Sequence, residues 1–108
     1  MSETWHFVCA AEEIDEEDVI GFDFQDQHFA VYNTEKGFFA TDGLCTHEAQ
    51  SLADGIVIGS QIECPLHGAC FDIKTGKALT APASVDVDSI PVKIEGDQIL
   101  VGLPKSDG

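Results

Sequence analysis

A chain of 108 residues, 44% of them hydrophobic, has the length of one domain and enough apolar material for a modest core. Its formal net charge of -15, from 20 Asp+Glu against 5 Lys+Arg, disfavours binding to a nucleic-acid backbone or an anionic membrane, so a protein partner is expected to offer a basic face. No basic start followed by an apolar run opens the chain and no stretch is long enough to cross a bilayer, so a cytoplasmic protein is expected, whose 4 cysteines read as metal ligands or buried thiols rather than disulfides.

Short strands separated by turn residues fill most of the sequence. "TWHFVCA" (4–10), "VIGFDF" (19–24), "HFAVYN" (28–33) and "FFAT" (38–41) are rich in aromatic and β-branched residues, and several alternate in polarity. "QDQ" and "TEKG" between them suit hairpin turns. Further along come "FDI" (71–73), the turn-like "KTGK" (74–77), and a closing hairpin from "IPVKIEG" to "DQILVG" that turns at Gly96-Asp97. No long apolar stripe of period 3.6 appears, so at most a single helical turn is expected, near "EEIDEED" (12–18). The expected fold is all-β, an antiparallel β-sandwich or small barrel, with "PKSDG" as a frayed tail.

Chemistry concentrates in "LCTHEAQSLADGIVIGSQIECPLHGACFD", Leu44 to Asp72. Two Cys/His pairs, Cys45-x-His47 and Cys64-x-x-His67, supply one sulfur and one nitrogen from each of two loops. Zinc accepts two thiolates and two imidazoles, but structural zinc sites group Cys with Cys and His with His, the latter on a helix. Mixed pairs on non-helical sequence suit a two-iron cluster in which the cysteines take one iron and the histidines the other.

"CTH" followed by "CPLHGACFD" resembles the Rieske [2Fe-2S] motif, fixing four ligands, two short spacings, Pro65 and Gly68 together. Length and strand pattern are similar, over nearly the whole chain, to the small Rieske-type ferredoxins of bacterial ring-hydroxylating dioxygenase systems. The resemblance implies a single Rieske domain over 1–108 with a two-loop cluster-binding subdomain at about 44–72. It implies that Cys45 and Cys64 bind the inner iron, that His47 and His67 bind the outer iron near the surface, and that "APA" (81–83) covers the cluster. The implied function is a soluble, monomeric one-electron carrier between a flavin-dependent reductase and a terminal oxygenase of aromatic catabolism, not itself an enzyme.

The remaining chemistry-bearing residues read differently. Cys9, alternating within a strand, and Cys70, in the second loop, read as structural thiols, and an all-cysteine cluster of Cys9, Cys45, Cys64 and Cys70 would leave both histidines idle. His6 and His28 read as sheet residues; Trp5, Phe38 and Phe39 read as core; the acidic run reads first as a solvated loop and second as an electrostatic guide to a basic partner. Leu66, between two ligands, is an interface candidate. An oxygenase in its own right would need a non-haem iron on two histidines and a carboxylate, for which only His6 and His28 remain. The small subunit of an assimilatory nitrite reductase resembles the same fold, but many such subunits lack the four ligands. A zinc-stabilised binding module would be colourless.

Two neutral imidazoles in place of two thiolates leave the oxidised cluster formally uncharged, which raises its potential to roughly -150 to +300 mV against about -400 mV for four cysteines. High-potential respiratory members of the resembled family carry a loop disulfide and two hydroxyl donors where this chain has Gln50, Leu66, Ala69 and Phe71. Without those donors the reduced, more negative cluster loses stabilisation. The expected midpoint is therefore about -150 mV, falling as pH rises through the titration of a ligand imidazole in the oxidised state. Voltammetry checks both: a midpoint above zero at neutral pH contradicts the missing-donor argument, and a potential flat to strongly alkaline pH contradicts histidine ligation.

Overall fold

In the computed structural model, which describes residues 3–24, 27–43, 51–65, 68–80 and 86–104, ten strands run in the order β1 (Glu3–Ala10), β2 (Asp18–Phe24), β3 (Gln27–Thr34), β4 (Gly37–Asp42), β5 (Ile56–Ile58), β6 (Gln61–Glu63), β7 (Cys70–Asp72), β8 (Ser89–Ile90), β9 (Val92–Glu95) and β10 (Gln98–Pro104). They form three antiparallel sheets, β1-β10-β9, β2-β3-β4-β8 and β5-β6-β7. The only helical pieces among the described residues are two 3-10 turns, Ala11–Glu13 and Leu52–Asp54.

The middle sheet is the shared layer. From Phe29 to Tyr32 every residue of β3 is buried, because the strand is apolar on both faces. Phe29 and Val31 join one core with Cys9, Ile14, Ala40, Ile99, Val101 and Leu103, against the β1-β10-β9 sheet. Ala30 and Tyr32 point the other way, into a core with Leu52, Ile62, Cys64, Ala69 and Phe71. Two sheets thus form a sandwich and the third covers its far side. The phenol of Tyr32 is buried in that second core and is satisfied by Thr41 Oγ1 at 2.8 Å, while the Thr41 hydroxyl reaches the Asp42 carbonyl at 2.7 Å.

The expected strands are present, as are the turns at Glu35-Lys36, Lys74-Thr75 and Gly96-Asp97, whereas Gln25 and Asp26 of the expected "QDQ" turn and residues 105–108 of the expected tail lie outside the described residues. The acidic run is exposed apart from Ile14, which is 2% exposed and plugs the first core. Asn33 Nδ2 donates to the Ile14 carbonyl at 2.8 Å, tying that run to β3. One 3-10 turn lies at Ala11–Glu13, at the front of the expected span, and the second, Leu52–Asp54, corrects the expectation of at most one. Trp5 corrects the expectation that it is core: it is 39% exposed, with the Lys93 ammonium 4.6 Å from its ring centroid. Trp5 and Phe7 face solvent on the outside of β1, and a register irregularity between Phe7 and Cys9 then turns Cys9 inward. Phe38 and Phe39 are half-buried on opposite cores. No helix of the described residues is long and apolar enough to cross a membrane.

Asp42, at the end of β4, shares with Asp88 a cleft of about 280 Å³. Burial first, and the Asp88 charge second, push its carboxyl pKa upward. A raised folded-state value makes the ionised form cost stability at pH above it, and the cost vanishes below the ordinary carboxylate range. Asp42→Asn removes the charge and keeps an acceptor for Asp88. It is expected to raise the thermal midpoint by about 2 °C at pH 7 and to give no gain near pH 3; equal gains at both pH values in thermal melts would contradict this.

Candidate metal centre

The second loop of the expected site is short and closed at its mouth. β6 ends at Glu63 and β7 begins at Cys70, and between them the Cys64 N–H donates to the Ala69 carbonyl at 2.7 Å. Gly68 has φ +69°, a left-handed conformation that a side chain would strain, so the glycine after the expected ligand His67 is required by the turn. Cys64 is 1% exposed and Ala69 is fully buried, so the sulfur of this loop lies in dry surroundings. Pro65, between them in sequence, is exposed.

The first loop leaves the middle sheet at Gly43 and returns at Ser51. The Gly43 N–H donates to the His28 carbonyl at 2.8 Å, and the Leu52 N–H donates to the Gly43 carbonyl at 2.7 Å, so the ends of segment 44–50 are bonded together. Ser51 then caps the Leu52–Asp54 turn, its hydroxyl oxygen accepting from the Ala53 N–H at 3.2 Å. That turn feeds a hairpin of β5 on β6, with Ile56 opposite Glu63 and Ile58 opposite Gln61.

A third segment lies beside β7, with Ala78 bridged to Phe71. The Leu79 N–H donates to the Cys70 carbonyl at 2.8 Å, and the Cys70 N–H donates to Thr80 Oγ1 at 3.0 Å. On the far side of 81–85 the Asp86 carboxylate accepts from the Ala78 N–H at 2.8 Å, and the Val87 N–H donates to the Gly76 carbonyl at 2.8 Å. Leu52, Cys64, Ala69 and Val87 belong to one buried cluster, with Ala78 packed against it. The flanks of all three segments therefore rest on the same core.

Of the four expected ligands the structure places Cys64; Cys45, His47 and His67 lie outside the described residues, as do Gln50, Leu66 and the "APA" of 81–83. Among the described residues no group of three or more His, Cys, Asp or Glu is arranged to hold a metal ion. Cys9 lies in the other core, across β3 from Cys64, which separates it from the site, and burial followed by the Glu13 charge pushes its thiol pKa up. Cys70 lies half-buried on β7, its Sγ 3.5 Å from the Gly68 carbonyl oxygen. His6 packs its ring 4.2 Å from that of Phe24. His28 belongs to β3, but its ring reaches Asp23 and Ser51, a contact that no sequence spacing announces.

Two thiols and two imidazoles are a donor set that would suit a two-iron cluster, and the one candidate placed, Cys64, is buried among apolar neighbours at the mouth of its turn. Comparison with known proteins agrees. The family described as "Rieske [2Fe-2S] domain" matches residues 4–91. The chain is 44% identical over 103 residues to the ferredoxin component of the naphthalene 1,2-dioxygenase system of Pseudomonas aeruginosa, covering 95% of this chain and 99% of that protein. It superposes with a TM-score of 0.88 and 31% identity, over 94% of this chain and 95% of the other, on a chain from the complex of reduced oxygenase and oxidised ferredoxin in carbazole 1,9a-dioxygenase. A putative NADH-dependent nitrite reductase small subunit from Mycobacterium tuberculosis superposes with a TM-score of 0.84 over 96% of this chain and 98% of its own, but at 18% identity that likeness shows the fold alone. The family match and the near-full-length relative agree with the buried sulfur and the paired loops: the chain belongs to the Rieske [2Fe-2S] family, and its cofactor is one Rieske-type [2Fe-2S] cluster.

Proposed function

We propose that this chain is the ferredoxin of a multicomponent ring-hydroxylating dioxygenase system, taking electrons one at a time from a flavin-containing reductase and delivering them to a terminal oxygenase in the cytoplasm. The observation that carries the reading is the buried Cys64 at the mouth of its turn, in a Rieske-family chain alike over nearly its full length to such a ferredoxin component. Residues 1–108 serve as one cluster domain, with Cys45 and Cys64 on the inner iron and His47 and His67 on the outer. The cluster supplies a single reversible electron.

The protein's own part is to hold, shield and present. Leu52, Ala69 and Phe71, all fully buried, keep water from the sulfur side. Ala69 and Phe71 also bring no hydroxyl into that core, which favours the low-potential end of the Rieske range. Docking is guided by charge: Glu12, Glu13, Asp15, Glu16 and Glu17 are exposed, against 5 lysines and arginines in the whole chain. The nitrite reductase alternative has the shared fold in its favour and nothing further.

Purified protein is expected to be red-brown with about two irons per chain. Cys64→Ser is expected to lose iron by about 10-fold or more, because a buried thiolate ligand has no neighbour to replace it. A colourless protein with one zinc, or a Cys64→Ser variant that keeps its colour, would contradict the ligand assignment. Electron delivery to the oxygenase is expected to slow steeply as ionic strength rises from 0.01 M to 1 M, over which the screening length falls from about 30 to about 3 Å. A stopped-flow rate indifferent to salt would remove charge from the docking account.

A further inference from the structure

Segment 44–50 can be held no better than its two ends, and both ends meet one side chain. His28 Nε2 lies 2.7 Å from Ser51 Oγ, and Nδ1 lies 2.7 Å from Asp23 Oδ1. The backbone carbonyl of the same histidine accepts from the Gly43 N–H at 2.8 Å. A Cβ on Gly43 would stand 2.5 Å from the ring's Cδ2, so the ring lies directly across the start of the segment while its Nε2 holds the end.

The donors can run in one direction. The Ala53 N–H donates to Ser51 Oγ at 3.2 Å, the Ser51 hydroxyl donates to Nε2, and Nδ1–H donates to the Asp23 carboxylate. Every polar atom in that line is then satisfied. The histidine side chain is 25% exposed and that of Asp23 is 79% exposed, so the Ser51 bond is the sheltered one and the Asp23 bond the wet one. A sheltered bond contributes more than an exposed one, and this one joins residues 23 positions apart in sequence.

We infer that His28 is a positioning residue for the first cluster loop: by bonding Ser51 and packing on Gly43 it fixes the separation of the ends of 44–50 and so the placement of Cys45 and His47. The inference rests on the reading that those two residues are ligands. His28 touches neither end by accident of the strand, since its ring neighbours, Gly21 and Gly43, are both glycines that leave it room.

The test uses the iron-loaded protein and reads iron release to a chelator, together with the midpoint potential, in wild type, His28→Ala, Ser51→Ala, the double variant and His28→Gln. His28→Ala is expected to release iron about 10-fold faster, as loss of a supporting partner does at other metal sites, and to shift the midpoint. Ser51→Ala is expected to match it, and the double variant to be no worse than either single, because the two share one interaction. His28→Gln, whose amide can still bond Ser51, is expected to recover part of the loss. Wild-type release and midpoint in His28→Ala, or single effects that simply add, overturn the inference, since a residue that only stabilises its strand would act independently of Ser51. Retention of iron by Cys45→Ser overturns the ligand reading and this inference with it, whereas loss of iron there beside wild-type release from His28→Ala overturns the inference alone.

Discussion

The structure depends on a cysteine sulfur held out of water. Cys64 is 1% exposed, its N–H is bonded to the Ala69 carbonyl, and its neighbours in the core are aliphatic and aromatic. A metal ligand must be a thiolate, and an uncompensated charge in such a place costs several kcal/mol. A cation that shares the site removes that cost, so cluster binding and the packing of this core reinforce each other. On the proposed ligand set, the same apolar shell that makes a bare thiolate unfavourable would exclude water from the iron that Cys64 holds.

β3 lets one small chain do this without endangering the rest of the fold. Its alternate residues serve two cores, Phe29 and Val31 on one side and Ala30 and Tyr32 on the other. The core against β1-β10-β9 contains none of the proposed ligands and is closed by long pairings, β1 with β10 and β10 with β9. The core under β5-β6-β7 is built from three-residue strands and from the flanks of three loops. Stability is thus weighted to one layer and the proposed ligand Cys64 lies in the other, with the exposed carboxylates shaping the field around both.

How much of this is legible in the residues follows from strand length. β1 to β4 and the β9-β10 hairpin are long enough for alternation, β-branched content and turn residues to show, and the family is legible from the paired Cys/His spacings, as the family match over residues 4–91 agrees. β5 and β6 have three residues each and β8 has two, too few for a period to register, so the hairpin between the two loops is not seen in the sequence. Trp5 is misjudged because hydrophobicity alone does not say which face of an outer strand it occupies, and the irregularity before Cys9 defeats counting by twos. His28 reads as an ordinary sheet residue because Ser51, which gives it meaning, is distant in sequence and close only in space.

The central claim is that two cysteines hold one iron and two histidines the other, which makes the two irons chemically unlike even when both are ferric. Mössbauer spectroscopy of the oxidised, isotopically enriched protein reads each iron separately. The account predicts two quadrupole doublets of equal area with distinct isomer shifts, the lower from the all-sulfur iron and the higher from the imidazole-ligated one. A single doublet, from two irons in the same sulfur environment, would contradict it.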